Sequence, residues 1–570
     1  MNADPTGSAP ATAGFLPVRD GIAQTAVQGG AYAPLSLPDM FFASAAVDPA
    51  APLTDFLGRR FSYGQIAAQA RAIAAGLQAR GIAKGDRVGL FLPNVPLYLS
   101  AYYGVLLTGA SVVNYPPQWD AAQLARALAE TTPKLVISID VAALLETVAT
   151  ARSKAPFPTL VVGRLATMLP PLKRLMLAIS GRAGRIHGEG TGSLEAFVSK
   201  AEPVPVTIDP MADVAVIQYS SGTTQTPRAV RLSHHNLTAN ARQLEEIDPW
   251  QGSHGTMIGV LPLATTFGNA AVLNRTVFDR GCIALLPRFV PREVLRTIRR
   301  TRAISMPGIP TMFQALLDSP ALARSDLSSL RACICGGAPL SAPLKRRFEA
   351  ASGATIVEGY GLVEAAGVVA VNPFDTPQRP DSAGKPLPGT RWTLLDRDDP
   401  SRLAPAGEPG ELALAGPQVM LGYWNDPTAQ AAAFSGEWLR TGDYATIDEG
   451  GYLTIVDRLS DAIQSAGTTI FPSLIEHVLL THEHVREAVV IGIPDAFRGE
   501  SPKAFVTLSG DSYETDESLR NWINGRLPAN RRVMAVEIRA CLPRVAVGKL
   551  DRGALRLDEA ERARTFSLPR

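Results

Sequence analysis

Residues 219–236 read YSSGTTQTPRAVRLSHHN. The run before it, VAVIQY (214–219), is β-branched and apolar and reads as a strand. SSGTTQTP cannot extend that strand, so the chain must turn there. A turn built around Gly222 presents successive N–H groups to a concave space, which favours anions. Ser220, Ser221, Thr223 and Thr224 add hydroxyl donors, and Arg228 adds a permanent positive charge that pairs with phosphate oxygens. The sum is a cradle for a polyphosphate. It is not the GxxxxGK loop, whose spacing and lysine are both missing. Taken alone, a polar surface loop is an equal reading.

The sequence around the cradle sets the fold class. In FSYGQIAAQARAIAAGLQARGIAKGDRVGLFLPN (61–94), Ile66, Ala70, Ile73, Ala74 and Leu77 share one helical face; Gly81 closes the helix and RVGLFL follows as a strand. The rhythm returns in VLRTIRRTRAISMPGIP and in LRACICGGAPLSAPLKRRFEAASGATIVEGYG, which indicates parallel sheets covered by helices. From GTRWTLLD to TGDYATIDEGGYLTIVDR, short strands alternate with Gly, Asp and Pro turns. The expected fold is α/β: a large N-terminal domain of mostly parallel sheets with helices plus a β-rich subdomain, then a small α/β C-terminal domain. The expected boundaries are a flexible leader over 1–35, the large domain over 36–459 and a small mobile domain over 460–570.

Length alone calls for more than one core, since the chain has 570 residues. A 46% hydrophobic and 19% charged composition is that of a globular protein, and a net charge of +2 gives no case for a nucleic-acid partner. Cys282, Cys333, Cys335 and Cys541 lack metal spacing and read as buried free thiols, which fits a cytoplasmic location. His482 and His484 flank one glutamate and read as a solvated helix start. The N-terminus has no basic-then-apolar signal pattern. The uncharged stretch from Leu97 reads as a buried helix followed by a strand. Residues 163–186 mix leucines and methionines with Lys173, Arg174, Arg182 and Arg185. They read as a surface insertion packing its apolar side on the domain, or as a peripheral contact with the inner face of a membrane.

Other stretches remove the ambiguity of the cradle. GYGLVEAAG (359–367) places Glu364 after a Gly-rich aromatic turn, TGDYATIDEGGY supplies Asp443, VDRLSD supplies Arg458, and PRVAVGKLDRGALR (543–556) presents Lys549 behind a glycine. With GDRVGLFLPN, GGAPL, AGKPLPG, GELALAGPQVMLGYWNDP and FPSLIEHVL in the same order, the chain resembles the adenylate-forming (AMP-binding) superfamily from about Ser36 to Arg556. The PGIPTMFQALL block and the basic insertion are most similar to bacterial long-chain fatty acid–CoA ligases.

The resemblance implies that a carboxylate joins ATP to give acyl-adenylate and pyrophosphate, and that a thiol then takes the acyl group. It implies that Ser220, Ser221, Gly222, Thr223 and Thr224 hold the outer phosphates, with Arg228 supplying charge. Glu364 would hold Mg²⁺, and Asp443 would accept from the ribose hydroxyls with Arg458 nearby. Tyr360, in the turn Glu358–Gly359–Tyr360–Gly361, would stack on adenine; Gly336, Gly337 and Ala338 would line the adenine and acyl pockets. Lys549 would bridge the acid and the α-phosphate. The expected reaction is activation of a medium- or long-chain fatty acid and transfer to the thiol of CoA; an acyl carrier protein stays open as acceptor, since it presents the same thiol arm. Formation of a β-lactone from a β-hydroxy acid, and a non-catalytic nucleotide- or acyl-binding relative, also stay open. The sequence departs from the family pattern at Gln225, Arg228 and Ala229 in the cradle, at Val363, at Thr265 where histidine is common, and at the hinge residue Ser460. A bland reading of Arg458 pairs it with Asp457 or Asp461.

Overall fold

A computed structural model describes residues 26–27, 31–180, 184, 189–220, 227–250, 252–374, 378–379, 381–510, 512–544 and 550–566. An eight-stranded sheet anchors it, in the order Gly422–Tyr423, Ala229–Ser233, Val214–Tyr219, Ser111–Asn114, Arg87–Leu90, Leu135–Ile139, Thr159–Gly163 and Thr191–Ser193. From Val214–Tyr219 onward neighbouring strands are parallel. Ala229–Ser233 folds back antiparallel on Val214–Tyr219, so the quoted stretch joins two strands of a hairpin.

Helix Tyr63–Gln78 starts on a capping box between Ser62 and Gln65 and buries Ile66, Ala70, Ile73, Ala74 and Leu77. Helix Pro96–Leu107 is buried all round, which explains the uncharged stretch. Gly104 lets the two helices touch: a Cβ there would lie 2.8 Å from the Ala70 carbonyl oxygen. At the inner end of this layer, Tyr98 donates to Asn114 Oδ1 (2.8 Å) and Asn114 donates to Gln218 Oε1 (3.0 Å). Gln218 then donates to the Ala264 carbonyl (2.6 Å). These buried polar groups bind the 261–267 loop to the sheet.

A second layer holds Thr256–Gly259, Cys282–Leu285, Pro52–Phe56 and Arg59–Ser62. Single-residue bridges at Ser305 connect it to Ala332–Gly336 and thence to Thr355–Leu362 and Gly367–Val371. The β-rich part is antiparallel, with Arg391–Leu395, Gly410–Ala415, Trp438–Ile447 and Leu453–Arg458 side by side. After a 3₁₀ turn at Leu459–Asp461, a C-terminal α/β domain has its own sheet and its own core of Ile475, Val490, Ala504, Leu519 and Ile523.

Two local readings change. Cys282, Cys333 and Cys335 are buried, but Cys541 is exposed, because it follows the end of strand Ala535–Ile538. His482 is buried and meets Trp522 edge-on at 4.6 Å; it follows helix Pro472–Leu479 rather than starting one.

Candidate active site

One continuous cleft of about 1700 Å³ opens where the large sheets, the β-rich part and the C-terminal domain meet. Ser220, Arg228, Gly336, Gly337, Gly359, Tyr360, Gly361, Glu364 and Arg458 all line it. Residues more than three hundred positions apart therefore converge on one space.

The cradle has a closed neck. The Ser220 N–H donates to the Arg228 carbonyl (2.9 Å), and the Arg228 N–H donates to Ser220 Oγ (3.0 Å). The Arg228 guanidinium lies 5.4 Å from the centre of the Tyr423 ring, and the Tyr423 hydroxyl donates to Glu364 Oε1 (3.0 Å). Three separate segments thus bring a cation, a phenol and a carboxylate into line. Glu364 itself sits in a 3₁₀ turn, Val363–Ala365, ended by Ala366 at φ 54°. Its carbonyl accepts from the Met420 N–H at 2.8 Å, so both ends of the residue are fixed to the 420–423 segment.

Asp443 forms the second centre. Strands Trp438–Ile447 and Leu453–Arg458 pair so that Asp443 stands opposite Arg458. Arg458 Nε lies 3.2 Å from Asp443 Oδ1, and the Tyr360 hydroxyl donates to Asp443 Oδ2 at 2.5 Å. Attraction to this carboxylate is the main cause raising the Arg458 pKa, while burial and then Asp443 push the Tyr360 phenol well above its ordinary value. Arg458 therefore has Asp443 as its close ion-pair partner, not Asp457 or Asp461. Asp457 accepts from the Ser473 N–H, and Asp461 accepts from Arg556.

Other expected residues fall elsewhere. Ser221, Gly222, Thr223, Thr224, Gln225 and Lys549 lie outside the described residues, but Arg544 and Asp551, on either side of Lys549, line the cleft. Ala338 is exposed and is not part of the cleft wall. Glu358 stands behind the wall and accepts from the Leu340 N–H at 3.1 Å. Burial raises its carboxyl from the ordinary 4.5 to about 7, against the lowering effect of that N–H. The folded state then binds the proton more tightly than the unfolded chain. The stability this contributes is full below pH 4.5 and is lost as pH rises to about 7. Glu358→Gln should remove this part of the pH slope. Denaturant unfolding of both forms across that interval checks it; parallel slopes would refute it.

The departures also have places. Thr265 and Val363 line the cleft. The Thr265 hydroxyl donates to the Pro262 carbonyl (2.7 Å), shaping the turn into a π-helix, Gly268–Asn274, that runs beside the cleft. Gly268 is required there, because a Cβ would come within 2.1 Å of the Pro262 oxygen.

Sequence reasoning missed Tyr423, Arg440 and Glu411. All three line the cleft, and Arg440 pairs with the buried Glu411 carboxylate at 2.7 Å. Tyr423 and Arg440 lie within or just beyond stretches quoted for their order, but neither sits beside an acid in sequence. Tyr423 meets Glu364 across 59 residues.

The family model for the AMP-binding enzyme matches residues 41–424, and that for the AMP-binding enzyme C-terminal domain matches 474–549. The chain belongs to the AMP-binding enzyme family. Arg228 and Glu364 fall in the first matched region and Arg544 in the second; Asp443 and Arg458 lie between them. A long-chain-fatty-acid–CoA ligase of Bacillus subtilis is 35% identical over 541 residues, covering 92% of this chain and 96% of the relative. One from Escherichia coli is 33% identical over 552 residues, covering 92% and 94%. Among solved AMP-binding structures, an anthranilate CoA ligase in complex with anthranoyl-AMP superposes with a TM-score of 0.80 at 25% identity, covering 93% and 98%. The fold is that of adenylate-forming enzymes.

Proposed function

We propose that this chain activates a medium- or long-chain fatty acid with ATP and transfers the acyl group to the thiol of CoA. The observation that carries the reading is the meeting, in one cleft, of the Arg228–Tyr423–Glu364 line with Tyr360 and Arg458, both held by Asp443, which is buried just behind the wall, next to apolar wall from Leu57, Leu165, Leu169, Leu177 and Met312. The fatty acid–CoA ligases among the relatives support the substrate class.

In the first step a carboxylate oxygen attacks the α-phosphorus of ATP. The new P–O bond replaces the bond to the β-phosphate, and pyrophosphate leaves. In the second step the CoA thiol loses its proton and attacks the acyl carbon, and AMP leaves. Arg228 balances charge on the departing pyrophosphate, with Ser220 to Thr224 as donors. Asp443 accepts from the ribose, held in place by Arg458. Tyr360 presents its ring to adenine while its hydroxyl stays on Asp443, and Gly336–Gly337 leave room beside it. Lys549 stabilises charge at the α-phosphate. A Mg²⁺ ion fits Glu364: one hard carboxylate already oriented by Tyr423 suits an ion that keeps waters and phosphates as its other ligands. It would offset phosphate charge.

Residues 460–570 form the mobile unit in this reading. Arg458 is tied back to Asp443, whereas Asp461 is tied forward to Arg556 at 3.0 Å, so the short turn between them joins a residue held by the large domain to one held by the small domain. The free cysteines support a cytoplasmic setting, and among the described residues no helix is long and apolar enough to cross a membrane.

The test is acid-dependent AMP formation from Mg-ATP with and without CoA. CoA-stimulated AMP release matched by acyl-CoA is the expected result. Turnover indifferent to CoA moves the reading to a carrier protein or to lactone formation from a β-hydroxy acid. No turnover with any acceptor overturns it.

A further inference from the structure

Helix Pro171–Ser180 turns Leu177 inward, where it packs on the main core and lines the cleft. Its outer side is apolar too. Leu172, Leu175, Met176 and Ile179 are 70%, 58%, 62% and 78% exposed. Their i, i+3, i+4, i+7 spacing makes them one stripe. A stripe of large apolar side chains in water marks a surface that meets something.

The surroundings say what. Arg174 is exposed on the same helix. The Arg59–Arg60 corner lies alongside, and together with Arg174, Leu175 and Ala178 it lines a shallow depression. Arg59 also donates to the Thr167 carbonyl at 2.6 Å, which fixes this corner to the start of the insertion. Lys173 lies within electrostatic reach of Glu293, Arg300 and Arg296 on helix Pro291–Thr301, and of Asp55. The acids in this region are already engaged: Asp55 pairs with Arg300 and Arg60, and Glu293 with Arg296. Arg59, Arg60, Lys173, Arg174, Arg296 and Arg300 outnumber Asp55 and Glu293 here, so the apolar stripe has a rim with an excess of positive charge. A second copy of the chain would set one basic rim against another. A bilayer carrying anionic lipids offers hydrocarbon for the stripe and phosphates for the rim.

We propose that the 171–180 helix docks this chain on an anionic lipid bilayer, with Leu172, Leu175, Met176 and Ile179 in the interface and the arginine rim on lipid phosphates. The same helix has Leu177 on the cleft wall, so an acid dissolved in the membrane has only one helix thickness to cross. The docking does not depend on the proposed activity; the delivery of an acid rests on that reading.

The experiment is flotation of the full chain with vesicles of phosphatidylcholine alone, or with about one third phosphatidylglycerol. Wild type should float with the anionic vesicles and hardly with the neutral ones. Leu175→Glu/Ile179→Glu should weaken this binding by about tenfold or more, and Arg174→Glu should weaken the preference for anionic lipid. These side chains are exposed, so unchanged circular dichroism will show that the fold survives. Turnover of a short, water-soluble acid should be unchanged in the variants, while KM for a long acid presented in anionic vesicles rises. Binding without turnover would sink the proposed reaction and leave the docking standing. No flotation of wild type, equal flotation on both vesicles, or a wild-type dimer that the glutamates dissociate without any vesicle effect would overturn the docking.

Discussion

Lys549→Ala is expected to lower acid-dependent pyrophosphate release by about 10²–10³-fold, the usual cost of removing one aimed charge from a transition state. The reason lies in the first step. As the carboxylate approaches the α-phosphorus, two negative groups close on each other, and charge builds on the phosphoryl oxygens. A cation at that point is worth more in the transition state than in the ground state, so kcat should fall more than KM for ATP rises. The ends of the segment that carries Lys549 reach the cleft: Arg544 and Asp551 both line it, and the Asp551 N–H donates to the Pro543 carbonyl at 2.9 Å. Thioester formation from supplied acyl-adenylate should be nearly unaffected, since no charge then develops at that phosphate in the same way. Single-turnover measurement of the two half-reactions separates these effects. Equal loss in both would mean that the lysine holds the domain together rather than serving adenylation.

How far the sequence carried this depended on distance along the chain. The 63–78 helix was legible because its face and cap are local, and the helix buried all round because its stretch has no charge to place outside. The order of motifs pointed to Glu364, Asp443 and Arg458 because each sits in a short, recognisable turn. Arg458 beside Asp443 came from the family resemblance alone; the tyrosine partners of Asp443 and Glu364 were not legible. Tyr360 reaches Asp443 across 83 residues, and Arg458 meets Asp443 through the register of an antiparallel pair rather than through any neighbour. The nearby acids Asp457 and Asp461 were reasonable sequence candidates for Arg458, but Asp457 accepts from the Arg458 backbone N–H and from Ser473, Asp461 accepts from Arg556, and the close ion pair of the guanidinium is with Asp443. The outer face of the 171–180 helix was ambiguous for the opposite reason. Its pattern shows two apolar sides, and only the packed fold shows that Leu177 alone turns to the core.

Asp443→Ala should raise KM for ATP by about 10–100-fold, equivalent to about 1.4–2.8 kcal/mol, in the range of a lost charge-assisted hydrogen bond. The carboxylate is 4% exposed in its side chain and holds two groups of the cleft at once, the Tyr360 hydroxyl and the Arg458 guanidinium. Removing it leaves a buried phenol without that acceptor, which costs about 1–3 kcal/mol of folding stability. The Arg458 part of the loss is smaller, because that side chain is 43% exposed and water can solvate it. Asp443→Asn divides the two effects. An amide oxygen can still accept from Tyr360, so stability should recover most of the way. It accepts more weakly from a ribose hydroxyl and gives Arg458 no opposite charge, so KM should stay raised. Denaturant unfolding and ATP saturation curves on wild type and both variants decide the matter. A stability loss with unchanged KM in both would make Asp443 a brace between two strands and a tyrosine, with the ribose held by some other group. Raised KM in the stable asparagine variant would show that the carboxylate serves the nucleotide directly, since the structure around it would then be intact.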